Sequence, residues 1–403
     1  MANFLRARIL LLIFTCALPA LARAAPPKPW PEKQESKQPI PPEPDDESGQ
    51  SKTSPQAETQ PKKNKKLGGR GAIVVAPLPI SSPAVGSGIV PVLGYIFPLS
   101  IRDKISPPST IGVAGLITSN GSRGFAIGGQ LFFKQNTYEV TAGFAHGNVN
   151  YDIYGNGIAS NLKLPLQQTG EAFFGEILRR IGWKFFVGPR FLTGHSFITI
   201  VPNSVGNFPI PPEVGLHSTL TSIGARLNRD TRLNHFYPTN GTFFTFASDF
   251  FSQAIGSKYS FQSYKTQFDK YWSLSEHQVL AYDANFCGTS GAPPFYGNCI
   301  YGTNNELRGY TAGRYFTRYS IATQVEYRLV LPKRLGLVVF GGVGETIPGG
   351  SQILQRIQNS HFLPSGGGGL RFQLSTKYHV NLRADIAQGR DGHTFGLGVG
   401  EAF

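Results

Sequence analysis

Apolar and polar residues alternate along most of the chain, from about residue 68 to the last residue, Phe403. Segments of roughly ten residues carry this period-two pattern, and turn-forming residues separate each segment from the next. Examples are GFAIGGQLFFK at 124–134, SIATQVEYRLVLP at 320–332 and YHVNLRADIAQG at 378–389. No window sustains a helical period, so the pattern predicts an all-β fold.

The alternation places the side chains of each predicted strand on two faces. In residues 320–332, Glu326 and Arg328 oppose a mainly apolar face, and in residues 378–389 Asp385 lies on the polar face. A soluble β-sandwich also alternates, but charged inward residues suit the water-filled lumen of a membrane barrel. Tight connections also alternate with long, Gly- and Asn-rich ones, as in outer-membrane barrels. The pattern therefore predicts a transmembrane antiparallel β-barrel.

The number of strands follows from a count of the alternating segments. About fourteen are clear after residue 86, and GAIVVAPLP at 71–79 with the division of one long segment brings the number to about sixteen. An even number returns both ends of a bacterial barrel to the same side of the membrane. We therefore predict a barrel of 16 strands over residues 68–403.

The first 24 residues differ from the rest of the chain. Arg6 and Arg8 precede an apolar run over residues 9–21, and the sequence Ala-Arg-Ala follows at 22–24. This order predicts a secretory signal peptide that is removed after residue 24. A membrane anchor is the alternative, but the apolar run is too short to span a bilayer.

Residues 25–67 are rich in Pro, Lys, Glu, Ser and Gln and contain almost no apolar side chains. Such a segment cannot bury enough apolar surface to offset the entropy lost on ordering. We predict a disordered, partly extended linker in the periplasm. Its basic end, residues 62–66, is interpreted as a solvated charge run, with contact to acidic lipid headgroups as the alternative.

Two cysteines follow the signal peptide, Cys287 and Cys299, on either side of a Gly- and Pro-containing loop. In an exported chain such a pair indicates a disulfide. Two free thiols or a metal pair are the alternatives, and the absence of a histidine between the cysteines disfavours a metal.

Composition agrees with this architecture and indicates no catalysis. Charged residues make up 15% of the chain, aromatic residues 12%, and the formal net charge is +14. The eight histidines form no metal-binding motif, and an adjacent pair such as His195-Ser196 is interpreted as a chance occurrence. We therefore predict no enzymatic activity, metal or cofactor. The basic charge favours anionic outer-membrane lipid, including lipopolysaccharide, as a partner rather than nucleic acid.

Three stretches together resemble the BamA/TamA-like outer-membrane assembly factors, also called the bacterial surface antigen family. One is GARLNRDTRLNHFYPTNGTFFTFASDF, the next is ELRGYTAGRYFTRYSIATQVEYRLVLP, and the last is GGGLRFQLSTKYHVNLRADIAQG. The first is similar to the family's signature, and the matching residues here are Arg229, Asp230, Thr231, Arg232, Pro238 and Gly241.

The resemblance implies that the long sixth outer loop folds back into the lumen. Its tip would be Arg308, Gly309 and Tyr310, and the arginine would pair with carboxylates on the barrel wall. Glu326 is the expected first partner. Family members usually offer a second carboxylate in a Phe-x-Asp-x-Gly pattern, where this chain has Gly342.

Two other acidic residues are alternatives for that second carboxylate, Asp385 and Glu345. The terminal Phe403 is similar to the C-terminal targeting signal of outer-membrane barrels. Glu401 stands where that signal usually has an apolar residue, and we expect its carboxylate to reach water at the membrane rim.

The resemblance also sets the expected function. Residues 25–66 are too short and too polar for a POTRA domain, so a barrel without POTRA domains is expected. It would lie in the outer membrane of a Gram-negative-type cell and assist insertion or translocation of proteins or lipids. Its partners would then include unfolded outer-membrane proteins or periplasmic factors. A passive pore or a structural surface protein is the alternative.

Overall fold

The structure is a computed structural model that describes residues 71–403 except for 83–85, 101, 104, 155–162, 201–214, 303–305, 312–313, 350–359 and 376–378. The predicted signal peptide of residues 1–24 and the predicted linker of residues 25–67 lie outside the described residues. Both stay predictions.

Sixteen antiparallel strands close into a barrel, which confirms the predicted fold class and strand number. Each strand pairs with its neighbours in chain order. The barrel strands are β1 Ala72–Ser82, β2 Gly86–Phe97, β3 Ser109–Thr118, β4 Arg123–Phe133, β5 Tyr138–Tyr154, β6 Lys163–Gly182, β7 Phe185–Ile200, β8 Gly215–Asp230, β9 Gly241–Phe251, β10 Phe261–Ser275, β11 Gln278–Gly291, β14 Tyr319–Val330, β15 Leu335–Ile347, β16 His361–Ser375, β17 Val380–Gly389 and β18 Gly392–Val399.

Two further strands, β12 (Cys299–Ile300) and β13 (Phe316–Thr317), form a small sheet inside the connection between β11 and β14. Short 3-10 turns cover Gln253–Ile255 and Phe295–Gly297. Among the described residues, no helix combines the length and hydrophobicity that crossing a bilayer requires.

The barrel has two distinct ends. Strand β1 begins and β18 finishes at the same end, which we call the terminal end, and the opposite end is the loop end. Connections at the terminal end include tight turns such as residues 183–184 and 276–277. The sixth connection at the loop end, residues 292–318, is the segment in which the inward-folded loop was predicted.

The two faces of the wall differ in chemistry as the alternation predicts. Large apolar residues such as Ile127, Ile177 and Ile386 are exposed on the outward face, where a bilayer would cover them. Inward residues near β14 are polar but buried, and Glu326 and Arg328 are 0% and 1% exposed. Burial of such charges requires that the lumen be filled on this side of the barrel.

The barrel closes weakly between its first and last strands. Strand β1 pairs with β2 along its whole length. With β18 it forms one residue pair among the described residues, Ser81 with Leu397. Ser81 lies near the loop end of β1, whereas Leu397 lies near the terminal end of β18. Most of the seam edge of β1 therefore has no strand beside it among the described residues.

Candidate functional site

The tip of the sixth loop is packed inside the barrel. Leu307 is 2% exposed, Arg308 7% and Tyr310 5%, although the segment lies between two strands at the loop end. Leu307 and Tyr310 join a buried apolar cluster with Tyr301 of the same loop and with wall residues. Apolar packing thus brings the loop into the lumen, where the arginine meets the wall.

Gly309 allows this close approach. Its φ of +99° lies in the left-handed region that side chains other than glycine rarely adopt. A Cβ atom at this position would lie 3.0 Å from the backbone nitrogen of Gly389 and from the hydroxyl of Ser365. The hydroxyl of Ser365 also donates a hydrogen bond to the carbonyl oxygen of Arg308.

The guanidinium of Arg308 binds several wall residues at once. Its Nη1 lies 2.6 Å from Oε2 of Glu326 and 3.1 Å from Oδ2 of Asp385. Its Nε donates to the side-chain oxygen of Gln324 at 3.2 Å. The guanidinium carbon is 3.4 Å from the ring centroid of Phe340. The planar, five-donor group of arginine suits this combination of ion pairs and ring contact.

The two carboxylates that bind the loop tip also bind arginines of the wall. Arg328 Nε lies 2.6 Å from Glu326 Oε1, and Arg371 Nη1 lies 2.5 Å from Asp385 Oδ1. Buried charges are costly unless they are paired, and here three arginines face three carboxylates. We call this group the ionic cluster: Arg308, Arg328, Arg371, Glu326, Asp385 and Glu401.

Glu401 is inside the barrel, and the expectation that its carboxylate reaches water at the rim was wrong. Its side chain is 2% exposed and accepts hydrogen bonds at 2.7 Å from Arg371 Nε and from Asn381 Nδ2. The cause is the backbone at Gly400, whose φ of +89° turns the chain after β18. Strand alternation cannot predict a side chain that follows such a turn.

The last residue closes the ionic cluster. A backbone oxygen of Phe403 accepts a hydrogen bond from Arg328 Nη2 at 3.0 Å. The ring centroid of Phe403 lies 5.6 Å from the guanidinium carbon of Arg328 and 5.9 Å from that of Arg308. The segment that carries the predicted targeting signal therefore also contacts the loop tip.

The second carboxylate at the loop tip belongs to Asp385. Asp385 is one of the two acidic residues that were considered in place of the aspartate that Gly342 replaces. Glu345, the other alternative, accepts a hydrogen bond from Ser360 Oγ at 2.7 Å. Asp385 is on β17 rather than β15, so the loop tip contacts two separate parts of the wall.

The residues of the family signature surround the turn between β8 and β9. Asp230 forms a salt bridge with Arg232 at 2.7 Å, and Arg232 lies over the ring of Phe243 at 4.4 Å. Arg229 Nε donates to the carbonyl oxygen of Trp183 in the neighbouring turn at 3.2 Å. These contacts connect adjacent turns at the terminal end.

Two other signature residues position this turn against the lumen. The carbonyl oxygen of Pro238 accepts a hydrogen bond from Arg328 Nη1 at 3.3 Å, which connects the turn to the ionic cluster. Gly241 has a φ of +108°, and a Cβ atom there would lie 2.7 Å from the carbonyl oxygen of Thr231. The turn therefore requires glycine at this position.

Comparison with known families decides what this barrel is. Residues 119–403 match the model of the Omp85 superfamily domain. The chain belongs to the Omp85 superfamily. A search of the curated proteins found no match.

Solved structures share the fold of this Omp85 barrel. BamA from Haemophilus ducreyi lacking POTRA domains 1-3 is 13% identical, with a TM-score of 0.56 over 82% of this chain and 70% of that chain. CdiB from Escherichia coli is 11% identical, with a TM-score of 0.56 over 82% of this chain and 67% of that chain. CdiB from Acinetobacter baumannii is 13% identical, with a TM-score of 0.53 over 82% and 60%.

The loop of this Omp85 barrel is secured at two further points. Tyr310 donates its hydroxyl proton to the carbonyl oxygen of Pro364 at 2.6 Å and accepts from the backbone of Arg390 at 3.2 Å. Burial raises the pKa of Tyr310, so its hydroxyl keeps the proton that it donates. A disulfide joins Cys287 on β11 to Cys299 on β12, where the loop begins.

Several residues of the site were not assigned from the sequence. Arg371 has the same parity as the inward residues of β16, and Gln324 that of β14, so parity places both on the inner face. Parity cannot detect that Asp269 and Asp283 are directly paired on β10 and β11. Gln324 Nε2 donates to Asp283 Oδ2 at 3.2 Å and thereby connects this acidic pair to Arg308.

The side chains around the loop tip interact chiefly through ion pairs. Across the described part of the chain, no group of three or more His, Cys, Asp or Glu side chains could hold a metal ion. His195 hydrogen-bonds Thr219 through Nδ1 at 3.0 Å. The arrangement can hold or release a loop inside a barrel.

Proposed function

We propose that this Omp85 barrel is a plugged outer-membrane protein that assists the insertion or translocation of proteins or lipids. The observation that carries the proposal is Arg308, which fixes the sixth loop to Glu326 and Asp385 inside the lumen. Burying the charge of Arg308 would cost free energy without a benefit in a loop that only covered the surface.

In the mechanism that we propose, the plugged barrel is the resting state. Release of Arg308 would leave Glu326 and Asp385 with Arg328 and Arg371 as their remaining partners. Those pairs reduce the cost of separating the tip from the wall, because neither carboxylate becomes an unpaired buried charge. The seam between β1 and β18 would supply a second way for the wall to open.

The partners follow from this role. We propose unfolded outer-membrane proteins or periplasmic factors on the periplasmic side, and outer-membrane lipid with lipopolysaccharide around the wall. Export through the signal peptide of residues 1–24, tethering by residues 25–67 and targeting by Phe403 belong to the same proposal. No enzymatic step and no nucleic acid takes part.

Conductance in planar bilayers tests the plug. We expect the parent protein to be mostly closed and Arg308→Ala to show a steady channel. Arg314 is the matched control, because it lies in the same loop and pairs with Asp391 at 3.0 Å, away from Glu326. Arg314→Ala should stay closed, and a parent protein that already conducts like a wide pore would refute the plug.

The alternative function is a passive pore or a structural surface protein. One observation favours it: Pro77 and Pro79 interrupt the seam edge of β1, where a substrate strand would have to pair. The outer-membrane protein profile of a deletion strain separates the two. Loss of other barrels supports an assembly role, whereas an unchanged profile supports the alternative.

A further inference from the structure

A row of polar side chains crosses the outward face of the wall near the loop end. His146, Glu171, His195 and Thr219 occupy directly paired positions on β5, β6, β7 and β8. Directly paired residues project from the same face of a sheet. The row also pairs with Phe125 of β4, which is 53% exposed on the outward side, so these polar side chains face outward as well.

The row lies at the boundary of the apolar outer surface of the wall, on the side of the loop end. On β6, the outward residues from Glu171 towards the terminal end are apolar or glycine until Arg179, and they include the exposed Phe173 and Ile177. Towards the loop end, the outward residues are Thr169 and Gln167. Glu171 therefore lies where a hydrocarbon layer would give way to headgroups.

One cationic side chain lies near each end of this row. Lys258 lies in the connection between β9 and β10, and its Nζ donates to the carbonyl oxygen of His217 at 2.6 Å. On the other side, Arg123 begins β4 and is exposed. An open groove of about 620 Å³ lies over this part of the wall. We call it the rim groove, and its titratable lining residues are His146, Glu171, His195, His217 and Lys258.

We propose that the rim groove binds a lipid of the outer leaflet that carries two phosphate groups. This inference rests on the proposed function only for placing the loop end in the outer leaflet. Adjacent strands are about 4.8 Å apart, so the row from β5 to β8 is about 14 Å wide. That width exceeds one phosphate group and suits two, with the sugar or glycerol part between them.

The chemistry of the side chains fits this ligand. Lys258 supplies a positive charge and three N–H donors, and His217 and His195 supply ring N–H groups beside it. The apolar band below the groove would receive the acyl chains, including at the exposed Phe173. Glu171 is the one carboxylate in the groove, and it would repel the nearer phosphate.

Variants of Lys258 and Glu171 should change the affinity for the lipid in opposite directions. The purified full chain in micelles of an uncharged detergent is titrated with bisphosphorylated lipid A, monophosphorylated lipid A and phosphatidylcholine, and binding is followed by native mass spectrometry. We expect bisphosphorylated lipid A to bind most tightly. His217→Ala/Lys258→Ala should weaken it about fivefold or more, whereas Glu171→Gln should strengthen it.

The control is Arg179→Ala/Arg180→Ala, which removes two exposed cations near the terminal end of β6. Equal weakening by the control, or equal binding of phosphatidylcholine by the parent, would overturn the site. Complete displacement by inorganic phosphate would show a site for the free anion and would also overturn it. Lipid binding without any plug in the conductance experiment would leave this site standing and refute the proposed function alone.

Discussion

Leu307 occupies the space above Gly342: a Cβ atom built on Gly342 would lie 2.7 Å from Cδ1 of Leu307. The same atom would lie still closer to the carbonyl oxygen of Thr323 and would clash with it. The absence of a carboxylate at this position is therefore not a gap in the site. The loop fills the place with an apolar side chain, and Asp385 provides the charge from another strand.

This packing predicts that restoring the family's aspartate would damage the site. Gly342→Asp should displace Leu307 and loosen the loop tip, at a cost of about 1–3 kcal/mol for overpacking. In planar bilayers the variant should open more often than the parent. Gly341→Ala is the control, because the nearest atom to its Cβ is 3.7 Å away. A Gly342→Asp barrel as closed and as stable as the parent would contradict this account.

Sequence reasoning succeeded where strand periodicity alone decides position. Alternation placed Glu326 and Asp385 on the inner face, and the structure has both beside Arg308. It failed for Glu401, because the positive φ of Gly400 ends the alternation. Period-two parity gives the face on which a residue lies, but which strands meet across a lumen depends on the closed barrel and on the path of the loop.

Asp385 is expected to matter for stability beyond its contact with the loop. Asp385→Asn leaves Arg308 with Glu326 and Arg371 with Glu401 as their remaining buried partners. The loss of stability should therefore approach, without exceeding, the about 3–5 kcal/mol that follows when a buried charge loses its only partner. The urea midpoint of the refolded barrel should fall accordingly. Asp391→Asn is the control, because its partner Arg314 is 33% exposed and such pairs contribute about 0–1 kcal/mol. Similar midpoints for both variants would disprove the role of the ionic cluster.

Residues 401–403 should stabilise the barrel independently of targeting. Their deletion removes the Glu401 carboxylate from Arg371 and the backbone oxygen of Phe403 from Arg328. Refolding into detergent micelles needs no targeting machinery, so a lower urea midpoint there reports structure alone. If the shortened chain refolds with the parent's midpoint, the segment has only the predicted targeting role.

The disulfide should limit the motion of the loop. Cys287 and Cys299 are 12 positions apart, and such a crosslink typically contributes about 2–4 kcal/mol. We expect Cys287→Ser/Cys299→Ser, like the parent protein in reductant, to open more often in planar bilayers. Reductant should change the double variant no further. An effect of reductant on the variant as large as on the parent would show that it acts elsewhere.

Pro77 lies directly opposite Pro91, and this pair determines which backbone groups of β1 face the seam. Two prolines cannot exchange hydrogen bonds, so theirs is a non-hydrogen-bonded pair, and the odd-numbered residues of β1 direct their backbone groups away from β2. Pro77 and Pro79 therefore remove two N–H donors from the open edge, which protects it against pairing with another strand.

Restoring the two backbone N–H donors should allow the open edge of β1 to pair with a strand of another molecule. We expect Pro77→Val/Pro79→Val to form dimers in detergent micelles at concentrations where the parent is monomeric, as measured by light scattering after size-exclusion chromatography. Pro91→Val is the matched control, since its new donor would point towards β3 inside the sheet. A double variant that stays monomeric would mean that the twist or position of β1, and not its missing donors, keeps the edge free.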